Sequence, residues 1–118
     1  MARIVVTATH GPDDPSRATL AFLAAKAAGE EGDDVVLFLM NDAALLAKRG
    51  VADHIQGVGL APLPELLEAL QSLGVDIKVC RPCAEARGIT REALVEGASF
   101  AGMYDLIKAV RGSSVLSF

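Results

Sequence analysis

The chain has 118 residues, 52% of them hydrophobic and 22% charged, and a formal net charge of −4. This length predicts one domain spanning residues 1–118, with enough apolar side chain for a single core. The composition excludes a disordered chain, which would be poor in apolar residues and rich in charge. The acidic balance and the 4% aromatic content argue against nucleic-acid binding, because the chain has neither a basic stripe nor a set of stacking aromatics.

No segment has the roughly 20 apolar residues that a membrane-spanning helix needs. The first residues also lack the apolar central region of a secretory signal peptide. We therefore expect a cytoplasmic protein without membrane association. In that reducing compartment the two cysteines, Cys80 and Cys83, are more typical of a catalytic or metal-binding pair than of a structural disulfide.

Short apolar strands alternate with helical segments along the chain. The predicted strands cover 3–9, 34–40, 75–80, 96–100 and 113–118, and the predicted helices cover 15–30, 43–48, 62–73, 81–87, 91–95 and 102–110, with a loop over 51–61. Asp14 is expected to cap the first helix and Asn41-Asp42 the second. The apolar face of the first helix is expected to contain Leu20, Leu23, Ala24, Ala27 and Ala28. This alternation predicts an α/β fold, with a mostly parallel sheet and helices on both faces.

Three polar segments follow the first three predicted strands. They are Thr9-His10-Gly11, Asn41-Asp42 and the motif that begins at Cys80. Ligands and chemistry in open α/β sheets lie at the carboxyl ends of the strands. We therefore expect these segments to lie close together despite their separation along the chain.

The motif Cys80-Arg81-Pro82-Cys83 is the sharpest local signal. A reactive cysteine acts as its thiolate, so it needs a lowered pKa. Pro82 favours the first turn of a helix, whose unpaired N–H groups and positive dipole end would lie near both sulfurs. Arg81 and Arg87 add positive charge. The spacing favours a reactive or metal-binding pair over two buried, inert thiols.

Other interpretations of the cysteines stay open. Cys80, Cys83, His10 and His54 would form a four-ligand zinc set, although no second closely spaced ligand pair occurs. The pair could also be a dithiol–disulfide switch, or could simply pack in a binding or assembly protein. A thioredoxin-like protein is disfavoured, because its CxxC would follow the first strand.

The two histidines are weaker candidates. His10 follows the first strand, and its ordinary pKa near neutrality suits either a proton partner of a nearby thiol or an idle turn residue. His54 lies in a loop and is more typical of a surface residue. No glycine-rich phosphate-binding motif occurs. We expect no cofactor.

Several short motifs, in their order and spacing, carry a resemblance to a known family. They are Thr9-His10-Gly11-Pro12, Asp14-Pro15, Arg17-Ala18, Val35 to Leu39, Leu46-Ala47-Lys48 with Gly50, Ala52-Asp53-His54-Ile55, Leu66-Leu67, Val79 to Cys83, Ala86 to Ile89, Glu96-Gly97-Ala98 and Val115 to Phe118. Together they resemble the DsrE/DsrF-like family of small sulfur-handling proteins, nearly from end to end. The resemblance is closest to members that carry a CxxC.

The resemblance implies a five-stranded sheet in a three-layer α/β/α sandwich and assembly into oligomers. In sulfur-relay members of the family, one cysteine accepts a sulfane sulfur as a persulfide and passes it on. Cys80 occupies the matching place, which implies a sulfurtransferase-like carrier with donor and acceptor proteins. Relay members commonly lack a second cysteine such as Cys83, which leaves a resolving thiol or a redox pair as its role.

The apolar content exceeds what one small core readily buries, which predicts an apolar surface at a subunit interface. We expect a homo-oligomer, a trimer or hexamer, with Cys80 near the interface. The candidate interface residues are Phe100, Met103 and Tyr104 with the small residues Gly97, Ala98, Ala101 and Gly102.

Overall fold

The computed structural model describes residues 2–118, which contain five strands, four α-helices and three short 3₁₀ segments. The strands are β1 (Arg3–Ala8), β2 (Asp34–Leu39), β3 (Asp76–Cys80), β4 (Ala98–Ala101) and β5 (Ser114–Ser117). The helices are α1 (Pro15–Glu30), α2 (Leu63–Leu73), α3 (Arg81–Ala86) and α4 (Met103–Val110). The 3₁₀ segments are Asn41–Ala47, Ala52–His54 and Arg91–Ala93.

The five strands form one sheet in the order β4-β3-β2-β1-β5, and every neighbouring pair is parallel. In the central register, Val5 of β1 lies between Val36 of β2 and Val115 of β5. The β-branched and leucine-rich runs of β1 and β2 suit strands with both faces covered. The prediction of a mostly parallel sheet is confirmed.

Helices cover both faces because the chain reverses its direction across the sheet. A crossover between parallel strands is right-handed, so its helix lies on one face when the chain moves one way and on the other when it returns. The connections from β1 to β4 place α1, α2 and α3 on one face. The return from β4 to β5 places α4 on the other. The three-layer α/β/α sandwich is confirmed.

The main core lies between the sheet and the α1–α2 layer. Its largest fully buried side chains are Phe22, Leu37, Leu39, Leu46, Leu63, Leu70 and Ile77. The opposite face has a much smaller core, in which Ala109 of α4, flanked by Leu106 and Val110, packs on Val5 and Val36. The outer side of α4 is consequently left with exposed apolar residues.

Helix α1 begins where the sequence predicts but buries a different face. Asp14 caps it by accepting the N–H of Arg17 at 3.1 Å. Leu20 and Leu23 are 39% and 36% exposed and Ala27 is exposed as well, so the predicted apolar face is wrong for these three residues. The buried residues are Ala18, Thr19, Ala21, Phe22 and Ala25. Because apolar residues are spread around α1 instead of forming one stripe, the sequence does not identify its buried face, and the small alanines let it lie close to the sheet.

Two predicted short helices are 3₁₀ segments instead, and the predicted caps are absent. Neither Asn41 nor Asp42 caps the segment Asn41–Ala47 with its side chain. The two segments end where Lys48 and Leu94 form an isolated antiparallel bridge. Backbone groups at the ends of the two segments pair across this bridge and not along a continued helix. The loop predicted over 51–61 contains the 3₁₀ segment Ala52–His54, and the strand predicted over 96–100 lies at Ala98–Ala101.

Candidate functional site

The carboxyl ends of β1, β2 and β3 lie side by side, because these strands are neighbours in the sheet. The segments that follow them are 9–11, 41–42 and 81–83, the three polar segments expected at this edge. Chemistry in open parallel sheets is found here, where loops from adjacent strands converge. The candidate site is therefore built at this edge.

Cys80 and Cys83 form a disulfide at the junction of β3 and α3. Cys80 is the last residue of β3 and the N-cap of α3, and its Sγ accepts the N–H of Cys83 at 3.4 Å. Pro82 lies in the first helical turn, where an N–H has no partner within the helix, so the N–H that proline lacks costs no hydrogen bond. Both cysteines are half-buried. The pair is thus fixed by the backbone and still reachable from solvent.

The second sulfur has a donor from a different loop. The backbone N–H of Asn41 donates to Cys83 Sγ at 3.3 Å, although the two residues are 42 positions apart. Asn41 has a φ of +52°, a region that asparagine tolerates better than most residues. Each sulfur of the pair therefore has one backbone N–H directed at it.

Arg87 ties the β2 loop to α3. Its Nε and Nη2 donate to Asp42 Oδ1 at 3.1 and 2.8 Å. Nη2 also donates to the side-chain oxygen of Asn41 at 3.1 Å, and Nη1 donates to the carbonyl of Cys83 at 3.0 Å. The Arg87 side chain is 24% exposed. One guanidinium thus joins the loop that carries the Asn41 donor to the helix that carries its sulfur.

Arg81 directs its charge elsewhere. Its guanidinium lies over the ring of Phe100 in β4, 5.1 Å from the ring centroid, and is attracted by the electrons of the ring face. Arg87 is bonded to the backbone of Cys83, whereas Arg81 is held on an aromatic ring. The two arginines predicted to act together therefore have different partners.

His10 belongs to a cluster in its own loop. Its Nδ1 lies 3.0 Å from Asp13 Oδ2, and its Nε2 lies 3.3 Å from Nη1 of Arg17. The hydrogen bond with His10 holds the pKa of Asp13 below its ordinary value, and the Gly11 N–H, 2.7 Å from the other carboxylate oxygen, lowers it further. Both ring nitrogens of His10 are thus engaged within residues 10–17.

The His10 loop nevertheless lies against the Asn41–Asp42 loop. The Cα of Gly11 faces the backbone carbonyl of Asp42 so closely that any side chain at position 11 would overlap it. Asp42 is in turn bonded to Arg87, which is bonded to Cys83. A continuous chain of contacts therefore links the His10 loop to the disulfide.

The zinc set considered from the sequence is not brought together. Within residues 2–118, no group of three or more His, Cys, Asp or Glu side chains is placed to hold a metal ion. His54 ends the segment Ala52–His54 and is exposed. None of the helices in the described part of the chain is long and apolar enough to cross a membrane.

Asn41 and Asp42 have contacts at the site that the sequence analysis does not anticipate. It places them at the correct edge but expects them to cap a helix, whereas Asn41 donates to a sulfur and Asp42 accepts from Arg87. The signal that could have identified them is their position. They follow β2 directly, and β2 is the neighbour of the strand that ends at Cys80.

Fold and site together define a class of protein. It has a five-stranded, all-parallel sheet covered on both faces, with a cysteine pair at the carboxyl end of the third strand. The family model for the DsrE/DsrF-like family matches residues 2–118. The chain belongs to the DsrE/DsrF-like family.

Individual relatives agree with this assignment. The chain is 35% identical to the uncharacterized protein MK0008 of Methanopyrus kandleri over 116 residues, 98% of this chain and 92% of the relative. It is 29% identical over 121 residues to the protein YchN of Escherichia coli, covering all of both chains. The crystal structure of YchN matches with a TM-score of 0.86 over both full chains. The structure of MTH1491 from Methanobacterium thermoautotrophicum, 16% identical with a TM-score of 0.74 over both full chains, shares the fold.

Proposed function

We propose that the protein is a sulfurtransferase-like sulfur carrier, in which Cys80 accepts a sulfane sulfur as a persulfide and passes it on. The observation that carries this proposal is the position of Cys80: it ends β3, is half-buried, and has the N–H of Cys83 directed at its Sγ. A hydrogen bond of this kind stabilises a sulfur anion more than a neutral thiol. Membership in the DsrE/DsrF-like family supports the same chemistry.

Sulfur acceptance requires the reduced pair, so a dithiol reductant must first open the disulfide and become a disulfide itself. The Cys80 thiolate then attacks the terminal sulfur of a donor persulfide, R–S–SH. The S–S bond of the donor breaks, a new S–S bond forms on Cys80, and the donor leaves as its thiolate. An acceptor thiolate repeats this exchange and regenerates the Cys80 thiolate. No cofactor is proposed, because the sulfur stays bonded to the protein between the two steps.

Cys83 is proposed as the resolving thiol. In the absence of an acceptor, its thiolate attacks the Sγ of the Cys80 persulfide. The terminal sulfur leaves as HS⁻, and the Cys80–Cys83 disulfide forms. The disulfide joining the two residues in the structure is the species that this step would yield.

The arginines and His10 complete the proposed site. Arg87, bonded to the Cys83 carbonyl, and Arg81, which follows Cys80 in the chain, are proposed to support a sulfur anion at the cysteine pair. His10 is proposed as a proton partner. Its support is the packing of its loop, through Gly11, against the Asp42 that Arg87 holds.

Donor and acceptor proteins are the proposed partners. The cytoplasm is the proposed location, because thiols are kept reduced there. We also propose a homo-oligomer, a trimer or hexamer, supported by the 62% and 86% exposure of Met103 and Tyr104 on α4. Phe100 does not belong to that surface, since it packs against the main core beneath Arg81.

Intact mass spectrometry of the reduced protein after incubation with glutathione persulfide tests the carrier function. The wild type is expected to gain the mass of one sulfur atom transiently, before Cys83 closes the disulfide, and a dithiol removes this sulfur. Cys80→Ser should abolish the adduct, whereas Cys83→Ser should retain it or prolong its lifetime, because the resolving step is lost. An adduct of equal yield in Cys80→Ser would contradict the role of Cys80.

A dithiol–disulfide switch is the second candidate function, favoured by the bond between Cys80 and Cys83. Protein purified without reductant would then have a mass two hydrogens lower than the reduced protein. It would take up no persulfide sulfur after reduction. Cys83→Ser separates the switch from the carrier, because this variant cannot discharge the persulfide: a carrier then gains sulfur on Cys80 and a switch does not.

A further inference from the structure

The loop after β2 is held against the disulfide by an unusual set of contacts. Asn41, with its φ of +52°, directs its N–H at Cys83 Sγ, while its side-chain oxygen accepts from Arg87. Asp42 accepts two N–H groups of the same guanidinium on one oxygen. Arg87 also bonds the backbone of Cys83 itself. The donor and the sulfur it serves are therefore fixed to one side chain.

We propose that Asn41, Asp42 and Arg87 form a bracket that stabilises Cys83 as the leaving thiolate when the disulfide opens. The backbone N–H of Asn41 binds the sulfur anion, and Asp42 and Arg87 are positioning residues that hold this donor in place. The inference rests on the proposed opening of the Cys80–Cys83 disulfide by a dithiol.

The opening proceeds in two thiol–disulfide exchanges. A thiolate of the dithiol attacks Cys80 Sγ, a mixed disulfide forms there, and the electron pair of the Cys80–Cys83 bond goes to Cys83 Sγ. The second sulfur of the dithiol then releases Cys80, so the dithiol leaves as a disulfide and the protein gains two thiols. A disulfide sulfur is a weak acceptor, whereas a thiolate forms strong, charge-assisted hydrogen bonds. The Asn41 donor therefore stabilises the reduced state more than the oxidised state.

Geometry rather than charge carries this role. The carboxylate of Asp42 offsets the charge of Arg87, because two guanidinium nitrogens lie 3.1 and 2.8 Å from one of its oxygens. What the pair adds is the position of the adjoining Asn41 backbone. A lysine at position 87 would keep the charge but could not form the four hydrogen bonds of the guanidinium fork.

The test is the reduction potential of the Cys80–Cys83 couple in glutathione buffers at pH 9, where thiols of ordinary pKa, about 8.5, are mostly ionised. Arg87→Lys is expected to shift the equilibrium about tenfold toward the disulfide, the effect of losing one hydrogen bond to an ionised group. For this two-electron couple that is roughly 30 mV more negative. Arg91→Lys is the matched control. Arg91 is exposed, and within residues 2–118 its side chain forms no hydrogen bond or ion pair. Equal reduction potentials for the two variants would overturn the proposal.

Asp42→Ala gives a second test of the proposal. This variant provides the answer in the event that Arg87→Lys does not fold. Removing a negative charge near Cys83 would by itself stabilise the thiolate and raise the potential. Loss of the bracket lowers the reduction potential, so the direction of the change separates the two effects. An unchanged or raised potential would overturn the proposal. The readout needs no sulfur donor. If Cys80 takes up no sulfur but both variants lower the potential, the carrier function fails and the bracket stands.

Discussion

The two faces of the sheet are covered very differently. On one face, α1 and α2 enclose a core of fully buried side chains that includes Phe22, Leu63 and Leu70. On the other, α4 alone packs a small cluster on Val5 and Val36. Burial of apolar surface is the main favourable term in folding. The difference therefore teaches that the α1–α2 face supplies most of the stability of the fold.

The α4 face leaves several of its apolar residues exposed to solvent. Met103, Tyr104 and Ile107 of α4 are 62%, 86% and 46% exposed, and Val115 of the neighbouring β5 is 44% exposed. Exposed apolar patches of this kind mark contact surfaces. Leu20 on the outer side of α1 is exposed to a smaller extent, 39%. We therefore expect self-association through the α4 face.

The largest expected effect is on the α1–α2 face. Phe22→Ala removes a fully buried ring and leaves a cavity, so it is expected to lower the free energy of unfolding by about 3–5 kcal/mol. Leu106→Ala, which removes a half-buried side chain from the small cluster under α4, is expected to lower it by about 1 kcal/mol. Urea denaturation followed by circular dichroism measures both.

Leu20→Ala is the control for the orientation of α1. Its side chain faces outward on the same helix, so its loss is expected to stay below about 1 kcal/mol. A loss as large as that of Phe22→Ala would mean that α1 packs with the face the sequence suggests. A large loss of unfolding free energy for Leu106→Ala would show that the two faces contribute similarly to stability.

The second effect sharpens the assignment of the interface. Tyr104→Glu places a charge on the most exposed aromatic residue of α4 and is expected to convert the oligomer to a smaller species, because burying an unpaired charge is costly. Light scattering after gel filtration at micromolar concentration measures the mass. Leu20→Glu carries the same charge on the opposite layer and should leave the oligomer intact. The reverse outcome would move the interface to α1, and a monomeric wild type would refute assembly.

The smallest effect concerns the loop that leads into α1. His10 and the Gly11 N–H hold the pKa of Asp13 below its ordinary 3.8, so the ionised carboxylate stabilises the folded state. Because the folded pKa is the lower one, this stabilisation is complete above pH 3.8 and is lost as the pH falls through the folded value. Asp13→Asn should therefore lower Tm slightly at neutral pH.

The difference in Tm between wild type and Asp13→Asn should close in acid. Thermal melts from pH 7 down to pH 3 measure it. Asp53→Asn, at an exposed aspartate in the segment before α2, is the control for the loss of one negative charge. A difference that persists unchanged at pH 3 would show that the Asp13 carboxylate does not act through its charge.

Much of the fold is predictable because its signals are local. The capping aspartate and proline at the start of α1, the glycine that ends α2 and the apolar runs of the strands place most elements within a few residues. The parallel sheet follows from the alternation of strands and helices along the chain. The position of Cys80 at the end of β3 needs only the boundary of that strand, so the main candidate could be found from sequence.

The remaining features depend on contacts between distant residues. The buried face of α1 is set by close packing on the sheet, since the apolar residues of this helix are spread around it and form no single stripe. Arg87 and Asp42 are 45 positions apart, so only the folded sheet brings them together. The left-handed conformation of Asn41 is likewise maintained by its partners, Cys83 and Arg87.

The pairing of β5 with β1 has a consequence for synthesis of the protein. Ser117 bonds Thr7 across a separation of 110 residues, and Phe118 exchanges backbone hydrogen bonds with Thr7 and Thr9. While the chain is being made, β1 keeps one unpaired edge until β5 emerges. Such an edge is a template for pairing with another nascent chain. A pause in translation after α4 would therefore prolong the exposure of this edge.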